Sequence, residues 1–346
     1  GVRRPLGGGD PDEAAARGSF LLNLFGIRPY DDNVHLCGSP LYHTAVLAYS
    51  STSLHVGHPV VLMDKWSPEE TLRLIEQHRV THSHMVPTQF HRLLALPDDV
   101  RARYDVSSLR TMIHAAAPCP VDVKRRMLEW WGPVIYEYYA ATEGGGTLVT
   151  PEQWLERPGT VGLPWPNSEI RILDDDGVDV PAGEVGTVYM KLGMAAFEYF
   201  KDKGKTESNR REGFFTVGDV GYFDAEGYLF LCDRKSDMII SGGVNIYPAE
   251  IEGELLGHPK VADAAVFGIP HDDWGEEIKA VIEPAEGVAP DDDLAGELLE
   301  HCRSRLARFK LPRTIDFVEE MPRDPNGKLY KRKLRDPYWE GRERAI

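Results

Sequence analysis

The chain has 346 residues, of which 42% are hydrophobic and 10% aromatic, a composition that predicts a globular protein with two or more domains. Its formal net charge of -16 argues against nucleic acid as a partner, because proteins that bind phosphate backbones need a basic surface. No apolar run of about eighteen residues predicts a transmembrane segment. The four cysteines lack Cys-x-x-Cys spacing, which favours reduced thiols in a cytoplasmic protein over disulfides or a zinc site.

Between about residues 58 and 140, helical and strand patterns alternate. Ser67 is a typical N-cap, Pro68 fits the first helical position, and Glu70 would complete a capping box, so a helix begins there. The later elements predicted in this region are a strand near 80–86, a helix near 88–96, a strand near 111–116, a helix near 121–131 and a strand near 134–139. This order predicts a parallel sheet covered by helices, and ligands bind such sheets at the carboxyl ends of the strands.

The pattern changes twice further along the chain. Residues 160–233 contain short strand patterns between turns rich in Gly and Asp, which predicts a β-rich subdomain or a distorted barrel. Residues 234–346 predict a compact α+β domain. Its expected elements are a strand at 238–240, a helix at 248–256, strands near 261–267 and 277–283, a helix near 293–307 and a strand near 314–318. The fold class is therefore α/β, with a parallel sheet in residues 1–159, the β-rich subdomain and the small α+β domain.

Three places in the chain carry side chains suited to nucleotide chemistry. Thr142 and Glu143 precede three glycines, so a hydroxyl for a phosphate and a carboxylate for Mg²⁺ stand beside an approachable backbone; a flexible loop is the alternative. Asp219 follows a glycine and can accept from both hydroxyls of a ribose, or it is a solvated turn aspartate. Lys328 follows the turn dipeptide at 326–327, where its ammonium can lower repulsion between a carboxylate and the α-phosphate of ATP. Taken alone, that segment also fits a solvated basic tail.

Residues 233–252 combine a charged stretch, a strand, a glycine pair and a helix that starts with proline, in a fixed order over twenty residues. With this run, the chain resembles the adenylate-forming superfamily of acyl-CoA synthetases, firefly luciferase and nonribosomal adenylation domains. It is most similar to bacterial fatty-acid or acyl-CoA synthetases, and the resemblance extends over nearly the whole chain. The resemblance implies that residues 1–159 are the C-terminal part of a large domain and that the α+β domain is mobile.

The motifs of the superfamily imply roles for individual residues. Tyr139 to Glu143 resemble the Tyr-Gly-x-Thr-Glu motif, which implies phosphate contact by Thr142 and Mg²⁺ binding by Glu143, with Ala140 in place of the glycine. Lys328 matches the adenylation lysine, so the resemblance implies that Lys328, Thr142 and Glu143 are catalytic.

The nucleoside is expected to lie against a second group of residues. Four of them resemble the Gly-Ala-Ala-Pro segment that lies along adenine, namely Ala115, Ala116, Ala117 and Pro118. Tyr138 or Tyr139 is expected to stack near the same ring. Asp219 matches the ribose-binding aspartate of an Arg-Thr-Gly-Asp motif, although Val217 here separates the threonine from the glycine. Arg234 matches the second ribose contact.

Acid:CoA ligases of this superfamily work in two half-reactions, which implies ATP, Mg²⁺ and coenzyme A as cofactor and co-substrates. Acid and ATP give acyl-AMP and pyrophosphate, and the thiol of CoA then displaces AMP. The C-terminal domain is implied to rotate in between, bringing in Lys328 first and the segment of Ser241, Gly242 and Gly243 second. By this resemblance, Ser236 occupies the position of the hinge residue, where the family more often has Asp or Lys.

The acyl pocket is expected around His43, Val86 and Gly162, by resemblance to the corresponding segments of acyl-CoA synthetases. His43 would orient the substrate carboxylate, or it is simply a packed histidine. Relatives that activate amino acids carry an aspartate in the segment of His43, and none occurs there, so we expect a small-molecule carboxylic acid without an α-amine. A metal pair of His82 and His84 is an unfavoured alternative, since both lie within a predicted strand of the sheet.

The phosphate-binding loop of the superfamily, Thr-Ser-Gly-Thr-Thr-Gly-x-Pro-Lys-Gly, does not occur in this sequence, and Gly1 and Val2 resemble the residues that follow its lysine. The main expectation is an acid:CoA ligase for a hydrophobic acid, fatty or steroid-like. The alternative is a catalytically weak fragment that binds nucleotide or acyl-CoA and needs an N-terminal segment or a partner chain. The oligomeric state stays open, with a homo-oligomer among the alternatives.

Overall fold

The computed structural model describes residues 2–3, 10–193, 198–199, 201–324 and 327–342. The helices of its first part are α1 (Pro11–Asn23), α2 (Thr44–His55), α3 (Pro68–His78), α4 (Pro87–Leu94), α5 (Asp98–Arg101) and α6 (Val121–Trp131). The strands are β1 (Val2–Arg3), β2 (His35–Cys37), β3 (Val60–Leu62), β4 (His82–Met85), β5 (Thr111–His114) and β6 (Ile135–Ala140). Strands β3, β2, β4, β5 and β6 are neighbours in that order, and all four pairings are parallel.

One core cluster lies between this parallel sheet and helices α3, α4 and α6. Its fully buried side chains include Leu72 and Ile75 of α3, Phe90 of α4, Met112 of β5 and Ile135 of β6. Each such side chain stabilises the fold by about 1.5–3 kcal/mol relative to exposure. The cluster packs these helices against the sheet.

The elements predicted from 67 to 140 are confirmed within a few residues at each end. Ser67 caps α3, accepting from the backbone N of Glu70 at 3.3 Å. The capping box is wrong, because the Glu70 carboxylate accepts from the guanidinium of Arg73 instead, at 2.6 Å. Helices α1 and α2 were not predicted.

Antiparallel strands continue the parallel sheet beyond β6. The next elements are β7 (Gly146–Val149), α7 (Pro151–Glu156), β8 (Thr160–Pro164), β9 (Ser168–Leu173), β10 (Gly186–Leu192), β11 (Glu198–Tyr199), α8 (Lys203–Ser208), β12 (Arg210–Arg211), β13 (Phe214–Phe215), β14 (Asp219–Phe223) and β15 (Leu229–Arg234). The strand order runs β12, β13, β10, β14, β15, β8, β7, β6, with β9 beside β10. The β-rich region therefore shares one sheet with the parallel strands, and the boundary at 159/160 stays a prediction.

The last part of the chain forms its own sheet and core. Its elements are β16 (Ile239–Ser241), β17 (Val244–Ile246), α9 (Pro248–Leu256), β18 (Val261–His271), β19 (Gly275–Pro284), α10 (Asp292–Arg303), β20 (Thr314–Phe317) and α11 (Lys331–Arg335), with 3₁₀ turns at Arg308–Lys310 and Asp336–Trp339. Strands β17, β16, β19 and β18 are antiparallel neighbours, and β20 pairs with β19 in parallel. Ile251, Leu255, Val266 and Leu298 lie in its core. The helix predicted near 293–307 ends at Arg303.

Within the ranges given above, none of the helices is both long enough and apolar enough to cross a membrane.

Candidate functional site

The carboxyl ends of β4, β5 and β6 bring three of the predicted segments together. Met85 pairs with His114 across β4 and β5, and His114 pairs with Glu137 across β5 and β6. Because neighbouring parallel strands advance in step, the residues that follow these pairs lie side by side at one edge of the sheet. Val86, the loop of Ala115 to Pro118 and the end of β6 therefore border the same space.

The loop after β5 has a strained backbone at Ala116, where φ is +76°. A residue with a Cβ rarely adopts this conformation, and such strain persists where the surrounding structure enforces it, often at binding sites. Ala115 is buried, Ala117 is half-buried, and Ala116 and Pro118 are exposed. The loop thus presents a small, open surface at the sheet edge, which suits the flat face of a purine ring. Its contact with adenine stays a prediction.

Tyr139, Asp219 and Arg234 form a connected polar group. The phenol of Tyr139 donates to Oδ2 of Asp219 at 2.6 Å, and Nε of Arg234 lies 3.5 Å from Oδ1 of the same carboxylate. Asp219 and Arg234 are paired residues of β14 and β15. Burial raises the pKa of Asp219, while the Tyr139 hydrogen bond and the Arg234 charge oppose that increase. The pKa of the Tyr139 phenol is raised by burial and by the Asp219 charge. The phenol therefore stays protonated and acts as a donor.

The two adjacent tyrosines of β6 lie on opposite faces of the sheet, as alternation along a strand requires. Tyr138 accompanies the core cluster of Phe25 and Tyr49, and its hydroxyl lies 3.1 Å from Nε2 of His84. Its ring centroid is 6.2 Å from that of Trp165. Of these two tyrosines, Tyr139 hydrogen-bonds to Asp219, and the place of either ring beside a nucleoside stays a prediction.

Glu143 is buried, with 8% of its surface exposed, whereas the neighbouring Thr142 is exposed. The Tyr199 hydroxyl donates to Oε1 of Glu143 at 2.7 Å. Strand β11, which carries Tyr199, pairs with β1, and Val2 is the partner of Tyr199. Sequence reasoning missed this contact, because it joins residues 56 positions apart and no local pattern marks Tyr199 as a site residue.

A single carboxylate such as Glu143 fits Mg²⁺, which proteins usually bind through one or two carboxylates together with substrate phosphates and water. The exposed hydroxyl of Thr142 stands next to it for a phosphate oxygen. Both roles stay predictions.

Lys328 is exposed and lies in a hairpin of the C-terminal domain. The backbone N of Asp324 donates to the Lys328 carbonyl at 2.9 Å, and the Lys328 N donates to Oδ1 of Asp324 at 2.9 Å. A Cβ placed on Gly327 would lie 3.3 Å from Cγ2 of Val86 and 3.5 Å from Oγ1 of Thr88. The hairpin therefore contacts the end of β4, at the edge where the other segments meet. Asn326, the first residue of the predicted turn dipeptide, lies outside the described residues.

The segment proposed for the second half-reaction lies elsewhere. Gly242 and Gly243, with φ of +57° and +79°, form the two-residue turn between β16 and β17 after Ser241. The N of Gly242 donates to the Trp274 carbonyl at 2.9 Å, so the contacts described for this turn are within the C-terminal domain. The structure does not bring it to Asp219.

The predicted hinge residue Ser236 is exposed, in the turn that connects β15 to β16. A side-chain contact spans this turn, in which Oδ2 of Asp233 accepts from the N of Ala249 at 2.9 Å. Ala249 is near the start of α9, whose own N-cap residue, Tyr247, provides no side-chain hydrogen bond. Asp233 therefore joins the large sheet to the C-terminal domain across the hinge.

The predicted pocket residues have different environments. His43 is half-buried at the start of α2, and Val86 is buried. Gly162 has φ of +96°, and a Cβ there would lie 2.0 Å from the Leu148 carbonyl, so close packing against β7 requires glycine. Whether these residues also border the acyl group stays a prediction.

The two histidines of β4 hydrogen-bond to hydroxyl groups. Nε2 of His82 lies 3.1 Å from the Ser53 hydroxyl, and His84 contacts Tyr138. In the part of the chain that the structure describes, no group of three His, Cys, Asp or Glu side chains could hold a metal ion.

Comparison with known proteins agrees with this geometry. Residues 14–200 match the AMP-binding enzyme family, and residues 250–328 match the AMP-binding enzyme C-terminal domain. A feruloyl-CoA synthase of Amycolatopsis sp is 38% identical over 88% of this chain and 61% of its own. A long-chain-fatty-acid CoA ligase of Bacillus subtilis is 33% identical over 85% of this chain and 52% of its own.

A solved structure of o-succinylbenzoate coenzyme A synthetase from Bacillus subtilis, in complex with ATP and a magnesium ion, superposes with a TM-score of 0.76 at 32% identity. The match covers 94% of this chain and 65% of that one. The chain thus belongs to the AMP-binding enzyme family, the adenylate-forming superfamily, and its fold is that of these enzymes. It spans 61% of the length of the feruloyl-CoA synthase that it matches.

Proposed function

We propose that the chain carries the nucleotide-binding site and the mobile domain of an ATP-dependent, AMP-forming acid:CoA ligase. The observation that supports this most is the group of Tyr139, Asp219 and Arg234, located beside Glu143 and the Ala116 loop. A carboxylate fixed by a phenol and a guanidinium is suited to accept hydrogen bonds from the two hydroxyls of a ribose. Bound there, a nucleotide would direct its base towards the loop and its phosphates towards Thr142 and Glu143.

In the first half-reaction, a carboxylate oxygen of the acid attacks the α-phosphorus of ATP, and the bond to pyrophosphate breaks. Two anions must approach, so positive charge at the reacting phosphate lowers the barrier. Lys328 supplies an ammonium on a hairpin that contacts Val86 at the sheet edge. Mg²⁺, held by Glu143, would neutralise charge on the phosphates. Thr142 would donate to a phosphate oxygen and orient it.

In the second half-reaction, the sulfur of CoA attacks the acyl carbonyl of acyl-AMP, and AMP leaves with its phosphate. Gly242 and Gly243 are exposed, so their turn is not packed into the core of the C-terminal domain. The turn and Asp219 lie on opposite sides of the proposed hinge in the chain. Rotation about Ser236 would replace the Lys328 hairpin with this turn. Glycines allow a thiol-bearing arm to pass close to the backbone.

The proposed acid is hydrophobic. Fatty and steroid-like acids follow from the sequence resemblance, and the name of the feruloyl-CoA synthase relative adds aromatic acids. The rings of Tyr138, Trp165 and Tyr49 gather on the face of β6 away from Asp219 and supply an apolar border on that side. The four cysteines are free thiols, which supports the cytoplasm as the proposed compartment.

Calorimetric titration with AMP and product analysis by mass spectrometry test the proposal together. The chain is incubated with ATP, Mg²⁺, CoA and, in turn, a long-chain fatty acid, a hydroxycinnamic acid and a steroid acid. We expect AMP to bind, and one acid class to give AMP, pyrophosphate and an acyl-CoA thioester. Asp219→Asn should weaken AMP binding by about tenfold to hundredfold, because it removes a charge-assisted hydrogen bond. Asp272→Asn, at an exposed aspartate 3.3 Å from Arg342, is the matched control.

Binding of AMP without any product would favour the alternative, a nucleotide-binding piece that needs further polypeptide for turnover. Equal AMP affinity in wild type and Asp219→Asn would contradict the assigned nucleotide site.

A further inference from the structure

Arg323 lies in the C-terminal domain, five positions before the proposed catalytic lysine, and its guanidinium makes three hydrogen bonds. Nε and Nη2 donate to the two carboxylate oxygens of Asp263, at 2.5 and 2.7 Å. Nη1 donates to the Gly327 carbonyl at 2.5 Å. Such a two-point contact between a planar guanidinium and a carboxylate fixes both distance and orientation.

The environment of this ion pair makes it rigid. Only 16% of the Arg323 side chain and 7% of the Asp263 side chain are exposed. Asp263 belongs to β18, which pairs with β19 along most of its length. Arg323 therefore links the Gly327 carbonyl to a buried carboxylate of this hydrogen-bonded strand.

The Gly327 carbonyl connects the Arg323–Asp263 ion pair to the backbone of Lys328. The peptide group of that carbonyl includes the N of Lys328, which donates to Oδ1 of Asp324 at 2.9 Å. Arg323 and Leu329 form a β-bridge at the base of the same hairpin. One side of the Lys328 peptide is thus held by Arg323 and the other by Asp324, so the direction in which the lysine leaves the hairpin is fixed.

We propose that Arg323 is a positioning residue for Lys328: through Asp263 and the Gly327 carbonyl, it orients the hairpin so that the lysine reaches the α-phosphate during adenylate formation. The inference rests on the proposed function. It predicts a role in the first half-reaction alone, since Lys328 is absent from the site in the second.

Two variants separate geometry from charge. Arg323→Lys keeps the positive charge but lacks the planar fork, and Arg323→Gln lacks both. Adenylate formation is measured by acid-dependent exchange of pyrophosphate into ATP, and thioester formation is measured separately from supplied acyl-AMP and CoA. Arg171→Gln is the matched control, because Arg171 makes a similar two-point contact with Asp179, at 2.9 and 2.6 Å, in an exposed part of the β-rich region.

We expect both Arg323 variants to slow adenylate formation by about tenfold to hundredfold, the effect of misplacing a reacting group by about 1 Å. Thioester formation from acyl-AMP should change by less than about twofold, as should both reactions in Arg171→Gln. A purely structural role for Arg323 would lower both half-reactions together, and that result would overturn the inference. So would full adenylation activity in Arg323→Lys.

Hydrogen exchange at the backbone amides of Asp324, Gly327 and Lys328 gives a readout that does not need catalysis. Exchange should be faster in both Arg323 variants than in wild type, with the rest of β18 and β19 unchanged. If the wild-type chain makes no acyl-AMP, the proposed function of the chain fails, and exchange decides this inference by itself. Unchanged exchange overturns it, and faster exchange confined to the hairpin supports it.

Discussion

Tyr139 donates a hydrogen bond from its phenol to Oδ2 of Asp219 at 2.6 Å, across 80 positions of sequence. Tyr139 is the second-last residue of a strand of the parallel region, and Asp219 begins a strand of the antiparallel region. The contact therefore fixes the proposed ribose carboxylate relative to the loop proposed for adenine. It also favours the charged form of that carboxylate, because it opposes the increase in pKa that burial causes.

Removing this phenol should change how nucleotide binding depends on pH. Asp219 accepts from ribose hydroxyls as a carboxylate, so binding weakens as pH falls through its raised pKa. In Tyr139→Phe the pKa of Asp219 should rise further, because a hydrogen bond that favours the charged form is lost. We expect the acid limb of AMP affinity to move to higher pH, which calorimetry at a series of pH values measures. An unmoved acid limb would show that the phenol does not act on Asp219.

Tyr199 should influence the metal requirement. Its hydroxyl orients Oε1 of Glu143 at 2.7 Å. We expect Tyr199→Phe to raise the Mg²⁺ concentration for half-maximal pyrophosphate exchange by several-fold, about what the loss of one supporting hydrogen bond of 0.5–1.5 kcal/mol gives. Tyr104→Phe is the control, since Tyr104 makes the same kind of contact with Glu69, at 2.9 Å, on an exposed surface. Equal Mg²⁺ dependence in the two variants would refute the role of Tyr199.

These contacts show which parts of the site sequence can predict. Some site residues can be recognised from the sequence next to them, because each follows a strand or turn signal within a few residues. These are Thr142, Glu143, Asp219 and Lys328. The bond from Tyr199 to Glu143 spans 56 positions, and that from Arg323 to Asp263 spans 60. Only the completed fold brings such pairs together, so no local pattern predicts them.

The same distinction applies to the secondary structure. Helix α3 was predictable from Ser67 and Pro68, which define its start. Helix α2 carries the run Ser50 to Ser53, whose hydroxyls compete with helical hydrogen bonds, and it lacks a capping side chain. Its position depends on tertiary packing, for example of Tyr49 against His84 in β4, with ring centroids 5.2 Å apart.

A buried ion pair below the site should be important for stability. Nζ of the fully buried Lys124 lies 2.6 Å from Oε2 of Glu137, in the strand that continues to Tyr139, and 4.8 Å from the centre of the Trp154 ring. Burial would raise the pKa of Glu137, but the Lys124 charge, together with His114 and the hydrogen bonds from both residues, overcomes this and lowers it to about 2. Lys124→Met should cost about 3–5 kcal/mol in free energy of unfolding, because the buried carboxylate loses its lysine and keeps only the His114 ring, 3.4 Å away.

Urea unfolding measures this cost. The double variant Lys124→Met with Glu137→Gln should recover much of the lost free energy, since the buried carboxylate charge is gone. Lys191→Met is the control: Lys191 pairs with Glu169 at 3.2 Å on the surface, and its loss should cost less than about 1 kcal/mol. Similar losses in Lys124→Met and Lys191→Met would contradict the burial argument. The contribution of Glu137 should be complete above about pH 4.5 and decline as pH falls towards 2.

Buried histidines should make the fold sensitive to acid. Burial, with a smaller effect of neighbouring histidines, lowers the pKa of His35 and of His84 from 6.5 to about 3. These side chains stay neutral when folded but take up protons when unfolded, so stability falls as pH decreases from 6.5 towards 3. Each of the two histidines should lower the free energy of unfolding by about 1.4 kcal/mol for each pH unit in this range.

The variant His35→Gln should reduce this acid sensitivity. We expect the loss in unfolding free energy between about pH 7 and pH 5 to be smaller than in wild type by about 2 kcal/mol. The exposed His55 is the control position, and His55→Gln should leave the loss unchanged. Parallel pH profiles for wild type and His35→Gln would show that His35 is not responsible.

The most direct test of the proposed ligase chemistry compares Lys328→Ala with Lys333→Ala in the two half-reactions. Lys333 is also exposed, five positions away, with its Nζ 5.1 Å from the Tyr330 ring centre. We predict that Lys328→Ala lowers acid-dependent pyrophosphate exchange by about hundredfold or more, while thioester formation from supplied acyl-AMP stays within about threefold of wild type. Lys333→Ala should retain both activities. Equal loss of both half-reactions in Lys328→Ala, or no loss in either, would contradict the assignment of Lys328 as the adenylation lysine.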